Sequence, residues 1–189
     1  MRDPVRWSAV VSSATAPVLL IGGWSVAAAL QPSFDPLRDT ISALAGLGAT
    51  DRCVMTVALL GVGICHVVTA HGLRPVATQA RVMLAAGGVA TVLVTAFPLP
   101  RAGSSGAHQA AATIAFACLA IWPALSRVPL ARVATGVLVT LVVLFSIALA
   151  AGVLVGLAER LAAGAQALWP LAAVLLLLRR RRVTVSGPA

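Results

Sequence analysis

The sequence contains no lysine, no tyrosine and only five acidic residues in 189 positions. Charged residues make up 10% of it and hydrophobic ones 60%, with a mean hydropathy of +1.00. A water-soluble domain needs far more polar surface than this, so the composition excludes one. All 14 cations are arginines and the formal charge is +9. They are too scattered to form a face that tracks phosphates, which excludes a nucleic-acid partner. Three cysteines, Cys53, Cys65 and Cys118, lie inside apolar runs with no CxxC and no paired spacing. That excludes a disulfide framework and a structural zinc, and leaves small buried hydrophobes. There is no internal repeat, and no connection is long enough to be a soluble domain.

What remains is a set of long apolar runs fenced by arginines. Uncharged stretches run from Trp7 past Gln31, Cys53 to Leu73, Val82 to Pro100, Ala102 to Ser126, Val133 to Ala158 and Leu161 to Leu178. A helix of about 20 residues crosses a hydrocarbon layer of about 30 Å. The runs therefore predict an all-α, polytopic membrane protein with a single domain over 1–182. Its six spans fall at about 9–30, 53–71, 81–98, 107–125, 132–156 and 161–178, and residues 183–189 form a short disordered tail. The runs lack the alternation of barrel strands. The first apolar stretch is longer than the core of a cleaved signal peptide and reads as a retained anchor.

Six spans bring both termini to one side. Ten of the 14 arginines fall there: Arg2, Arg6, Arg74, Arg81, Arg127, Arg132 and Arg179 to Arg182. The positive-inside rule makes that side cytoplasmic. Arg179 to Arg182 read as a stop-transfer flank that meets anionic lipid. Arg38, Arg52, Arg101 and Arg160 share the outer side with four of the five acids, Asp35, Asp39, Asp51 and Glu159. Balanced charge on short loops predicts pairing. Ala148, Gly152 and Gly156 make a small-residue stripe of the kind that packs helices closely.

The longest connection holds "FDPLRDTISALAGLG" at 34–48. Asp35 before Pro36 fits an N-cap, and Gly46 and Gly48 fit stops, which predicts an amphipathic helix of about three turns between spans 1 and 2. Leu37, Ile41 and Leu44 share one side of it. Asp35, Asp39, Ser42 and Gly46 share the other, with Arg38 at the edge. His108 opens the fourth span at the same depth, and Glu159-Arg160 links the fifth span to the sixth.

"DPLRDTISALAG" at 35–46, "AFP" at 96–98 ahead of His108, and "GLAERL" at 156–161 followed by Trp169 resemble a bacterial family of six-span membrane proteins catalogued as domain of unknown function 998. The resemblance covers nearly the whole chain. It implies that Asp39, Ser42, His108, Glu159 and Arg160 are the characteristic polar positions, and it implies no activity. Asp35 stands where the family pattern has Ser or Thr before the Pro.

These residues are compatible with several chemistries. His108, Asp39 and Glu159 offer one imidazole and two carboxylates to a metal, fewer histidines than such sites usually use. Ser42 with His108 as base forms a possible nucleophilic pair, but no GxSxG turn supports it. A carboxylic acid at Asp39 or Glu159 in a dry pocket would protonate an isoprenoid alkene. No acid or arginine falls at the middle of a span, which argues against a proton-coupled transporter. His66 alone is clearly intramembrane, which argues against a b-type haem. It reads as a hydrogen-bonded histidine of the bundle, and His71 as a helix-terminal cap.

The sequence thus points to an outward-facing polar pocket that binds, or binds and chemically modifies, a lipid or isoprenoid-like amphiphile with an anionic or hydroxylated head. Asp39, His108 and Glu159 are its candidate catalytic groups, and Arg38, Ser42 and Arg160 its candidate binding groups. The alternative is a non-catalytic scaffold or sensor whose charge cluster is structural, and behind it a small-molecule transporter. No cofactor and no metal is assigned, the expected partners are membrane lipids, and the oligomeric state stays open. A reporter fused within the 98–106 loop should read as non-cytoplasmic. A cytoplasmic signal would refute the orientation.

Overall fold

Turns form where arginine, proline and glycine gather between the apolar runs. The structure, a computed structural model, describes residues 4–185, with side chains described as far as Arg180. Among these residues seven helices follow in order: α1 (Trp7–Ala29), α2 (Ile41–Leu44), α3 (Cys53–Gly72), α4 (Thr78–Ala96), α5 (Gly106–Ser126), α6 (Ala131–Ala151) and α7 (Val155–Val185). All regular structure among the described residues is helical. Six helices are long and apolar enough to cross a membrane. They form a ring in which α1 packs on α3, α3 on α4, α4 on α5, α5 on α6, α6 on α7, and α7 back on α1. Large apolar side chains such as Val18, Val57 and Val133 stand mostly exposed on the outside, the pattern of a bundle whose solvent is lipid. Of the tail expected over 183–189, residues 186–189 lie outside the described residues, while α7 extends to Val185.

One end of the ring, here the terminal face, carries residues 4–6, the α3–α4 and α5–α6 connections and the end of α7. The other, the loop face, carries the remaining connections. On the terminal face arginines close helix ends. Arg81, in the first turn of α4, donates from Nε to the Ala70 carbonyl at 2.8 Å and from Nη2 to His71 at 3.3 Å. A cation there satisfies orphan carbonyls and complements the C-terminal dipole of α3. Arg6 Nη1 donates to His71 Nε2 at 3.1 Å, and the Arg6 amide to the Gly72 carbonyl at 3.0 Å. The start of α1 is thereby tied to the end of α3. Ser12 and Thr69 join the same two helices through a buried hydroxyl pair at 2.7 Å.

The α3–α4 crossing is backbone to backbone. A Cβ at Gly63 would lie 2.6 Å from the Gly88 carbonyl oxygen, and one at Gly88 would lie 2.7 Å from that of Gly63. Small residues permit this approach, which in lipid supplies dispersion contacts in place of a hydrophobic drive.

Two further features depart from the sequence expectation, both on the loop face. The amphipathic helix is a single turn, α2, capped by Thr40 and not by Asp35. The fifth span ends at Ala151 instead of 156, and the sixth starts at Val155 instead of 161. Gly152 adopts φ +68 as the α6 C-cap, and the Val153 amide bonds back to the Ala148 carbonyl at 3.2 Å. Glycine tolerates this left-handed stop, and it ends the helix. The stripe of Ala148, Gly152 and Gly156 is therefore split between two helices and a cap. Glu159 and Arg160, expected in a connection, sit in the opening turns of α7.

Gly88→Ala should lower stability by about 1–3 kcal/mol, because its methyl has no room beside the Gly63 carbonyl. Gly136→Ala, where a Cβ meets nothing within 4 Å, should leave thermal unfolding in detergent unchanged or slightly raised. Equal midpoints for the two variants would contradict the close crossing.

Candidate functional site

The loop-face site begins with a turn. Asp35 accepts at its carbonyl from the amides of Arg38 at 3.1 Å and Asp39 at 2.7 Å. Pro36, with its fixed φ, sits at the second position of that turn. The Asp35 carboxylate accepts from the Leu37 amide at 2.9 Å, and the Asp39 carboxylate from the Asp35 amide at 2.8 Å. Both aspartates are thus engaged in folding the turn.

Arg160 explains why the turn does not continue as helix. Its Nη1 donates to the carbonyls of Pro36 at 2.8 Å, Asp39 at 2.9 Å and Gly156 at 2.9 Å. The Pro36 and Asp39 oxygens are those that a continuous helix would give to amides four residues on. The guanidinium also lies 5.1 Å from the Phe34 ring centroid, within cation–π range. The Leu157 amide, a free donor at the start of α7, bonds the Leu37 carbonyl at 3.2 Å. Gly156 lets this loop come down onto α7, since a Cβ there would overlap the Asp39 carbonyl.

Glu159 holds the other half of the loop. Its carboxylate accepts from the Ile41 amide and, at 3.0 Å, from the Ser42 hydroxyl. The Ile41 amide opens α2 and has no intrahelical partner, so a carboxylate from α7 supplies what the chain itself does not. Glu159 is only 4% exposed. The segment from Pro36 to Ser42 is therefore hung from α7, its carbonyls on Arg160 and its donors on Glu159.

His108 lies at the start of α5, where Ser105 caps the helix by accepting from the His108 amide at 3.3 Å. Its ring is 5% exposed, and Nδ1 lies 2.9 Å from the Phe97 carbonyl. A carbonyl only accepts, so Nδ1 carries the proton and, in the neutral ring, Nε2 is left as an acceptor. Phe97 is the C-cap of α4, ahead of Pro98.

Two spaces meet at Ser42 and Glu159. A groove of about 530 Å³ runs between α5 and α6, with Ser42, His108 and Glu159 at its polar end and Phe116, Phe145 and Leu149 along it. An inner chamber of about 70 Å³ lies against the same carboxylate. Groove and chamber share Ser42, Ala112, Phe116 and Glu159.

Of the six residues singled out in the sequence, the structure brings Ser42, His108 and Glu159 to one groove. Asp39 faces a separate hollow of about 530 Å³ on the loop face, with Phe34 and Arg101. Arg38 pairs with Asp35 at 3.7 Å, with its side chain 81% exposed. Arg160 serves the loop backbone. Neither arginine lines the groove or the chamber. Among the described residues no three His, Cys, Asp or Glu side chains group as metal ligands, so the His108–Asp39–Glu159 set is not assembled.

Sequence reasoning missed the chamber wall. His66, Thr91 and Gln166 line it. His66, expected to be hydrogen-bonded, makes no such bond among the described residues, and its Nδ1 is buried without a partner. Gln166 follows Glu159 by seven positions on α7, close to two helical turns. That spacing is the signal that would have found it.

A family model described as "Protein of unknown function (DUF998)" matches residues 14–176. No curated protein and no solved structure matches the chain.

If the Glu159 carboxylate is what holds α2, Glu159→Gln should set an amide NH₂ against one of its two donors and cost about 1–3 kcal/mol. Ser42→Ala leaves the Ile41 bond intact and should cost about 0.5–1.5 kcal/mol. Thermal unfolding in detergent and hydrogen exchange at the Ile41 amide measure both. Faster exchange in the serine variant than in the glutamate variant would contradict the assignment.

Proposed function

The chain belongs to the DUF998 family, and on that footing we propose that it is a bacterial inner-membrane protein whose loop face looks outward and whose groove binds a lipid or isoprenoid-like amphiphile. In this reading both termini are cytoplasmic, in keeping with the arginines gathered on the terminal face. The observation that carries the reading is the groove itself. It joins a polar end, made by Ser42, His108 and Glu159, to an apolar flank of Phe116, Phe145 and Leu149. Pockets that orient a ligand by a few convergent polar groups and hold the rest by apolar walls have this build. An amphiphile would place its head at the polar end and its chain along α6, toward the bilayer.

Ser42 and His108 offer acceptors to the head, and Gln109 and Thr113 on the same lining add donors. His108 Nε2 has a free lone pair, and the Ser42 oxygen, having donated its proton to Glu159, still accepts. No cation among the described residues lines the groove. A hydroxylated head suits this better than an anionic one. Chemistry on the head would draw on His108 as the proton acceptor, with Glu159 holding Ser42 in place.

A specific observation supports the second reading, a structural charge cluster. Both Glu159 oxygens and Arg160 Nη1 are bonded to the loop, which by itself makes a sufficient role.

Lipid extracted with the purified protein separates the two. His108→Ala should lower the co-purifying amphiphile by about tenfold, the equivalent of one hydrogen bond to the head. Asp39→Asn, which changes the other hollow, should not lower it. Unchanged lipid in correctly folded His108→Ala and Glu159→Gln proteins, with only the unfolding midpoint reduced, would sink the amphiphile reading in favour of the structural one.

A further inference from the structure

The chamber beneath Glu159 is more polar than a packing defect requires. His66 is 1% exposed and Gln166 2%, and both face this space together with Thr91. Buried polar groups in folded proteins are nearly always bonded, so the exceptions call for a partner from outside the chain. His66 has none among the described residues; its Nδ1 is sealed off, which leaves Nε2 as the ring nitrogen that can meet a ligand. Gln166 spends its amide NH₂ on the Phe116 carbonyl at 2.8 Å, which leaves its oxygen without a protein donor. Thr91 gives its hydroxyl proton to the Gly87 carbonyl at 2.9 Å and can still accept.

The wall between these groups and Glu159 is kept thin. Along α7, Ala163 and Ala167 line the chamber between and beside Glu159 and Gln166. The two polar rungs stand about 10.5 Å apart along the helix axis. The intervening alanines leave the slot open where larger residues would fill it.

Resting on the amphiphile reading above, we infer that the head of the ligand passes beneath Ser42 and Glu159 and seats its end on His66, Thr91 and Gln166, which makes it a slender, uncharged, hydroxylated head such as that of a monoacylglycerol or a long-chain alcohol. Three features select this class. A hydroxyl both donates and accepts, which matches the mixed demand of an imidazole, an amide oxygen and a threonine oxygen. The chamber volume of about 70 Å³ is roughly half that of an apolar cavity that holds benzene, and corresponds to about two water-sized groups. A sugar or aromatic ring does not fit, and an unbranched chain of one or two hydroxymethyl units does. A phosphate would enter beside the Glu159 carboxylate with no cation among the described residues on the lining, and burying it there unpaired is strongly unfavourable.

The test uses the purified full chain in detergent and labelled probes. These are a long-chain 1-monoacylglycerol, a long-chain prenyl alcohol, the corresponding prenyl phosphate, and phosphatidylglycerol. The two uncharged probes should bind, and the phosphorylated ones at least about tenfold more weakly. Gln166→Leu and His66→Phe should each weaken the monoacylglycerol by about tenfold. If either fails to fold, Ala163→Leu, at a partly buried position on the same wall, should block binding by filling the slot. Equal or tighter binding of the phosphorylated probes overturns the inference. So does unchanged monoacylglycerol binding in the chamber variants alongside its loss in His108→Ala. In that case the head stops at the groove, the chamber holds only water, and the amphiphile reading stands. Failure of every probe, with no lipid carried from the cell, overturns both.

Discussion

Two consecutive residues of opposite charge hold the loop face together, and each serves one polarity of the backbone. Arg160 takes carbonyls, and Glu159 takes an amide and a hydroxyl. Near a membrane, backbone groups outside helices have little water to turn to, and each one left unsatisfied is costly. The connection from Pro36 to Ser42 is irregular and lies against the bundle. It can do so because one side-chain pair on α7 supplies both kinds of partner. Gly156, one turn earlier, provides the room. Without this clamp the single turn of α2 has only its Thr40 cap and a few apolar contacts, too little to form alone. The ceiling over the groove and chamber would then be lost.

The site follows from that geometry. The carboxylate that holds α2 also forms part of both the groove and the chamber, so one residue secures the loop and lines both spaces. The ring of helices makes the space beneath it. The α1–α3–α4 side closes tightly, by glycine contact at Gly63 and Gly88 and by the Ser12–Thr69 hydroxyl pair. The α6 side does not. Its described buried residues are Ala131, Ala134 and Leu138, all toward the terminal face, and its loop-face half borders the groove. The bundle is thus firm where it faces itself and open on one flank, beside the polar groups.

Much of this was legible in the sequence, and the remainder was hidden for definable reasons. The six spans could be read because arginines mark their ends, and the family pattern pointed to Ser42, His108 and Glu159. The break at Gly152 could not be read, since glycine in an uncharged run looks the same whether it packs a helix or stops one. Missing that stop displaced the start of α7 by six positions. Glu159 then read as a connection residue, and its spacing to Gln166 went unnoticed. Asp39 was assigned to the pocket by a helical wheel. The segment is a turn there, because Arg160 takes the carbonyls that a helix would use, so the wheel gave the wrong direction. Arg38 and Arg160 were grouped by charge, which says nothing about whether a guanidinium faces a ligand or its own backbone.

The left-handed stop at Gly152 also sets which length changes this protein would tolerate. It fixes where α7 begins, so residues added ahead of Val155 would lengthen a hairpin and leave the helix in phase. One residue added between Gly156 and Gln166 would rotate everything beyond it by about 100° relative to what precedes it. Glycine, clamp and chamber floor would then no longer share a side. The loop between α6 and α7 can therefore change in length without disturbing the site, while the stretch that follows it is held to a fixed count.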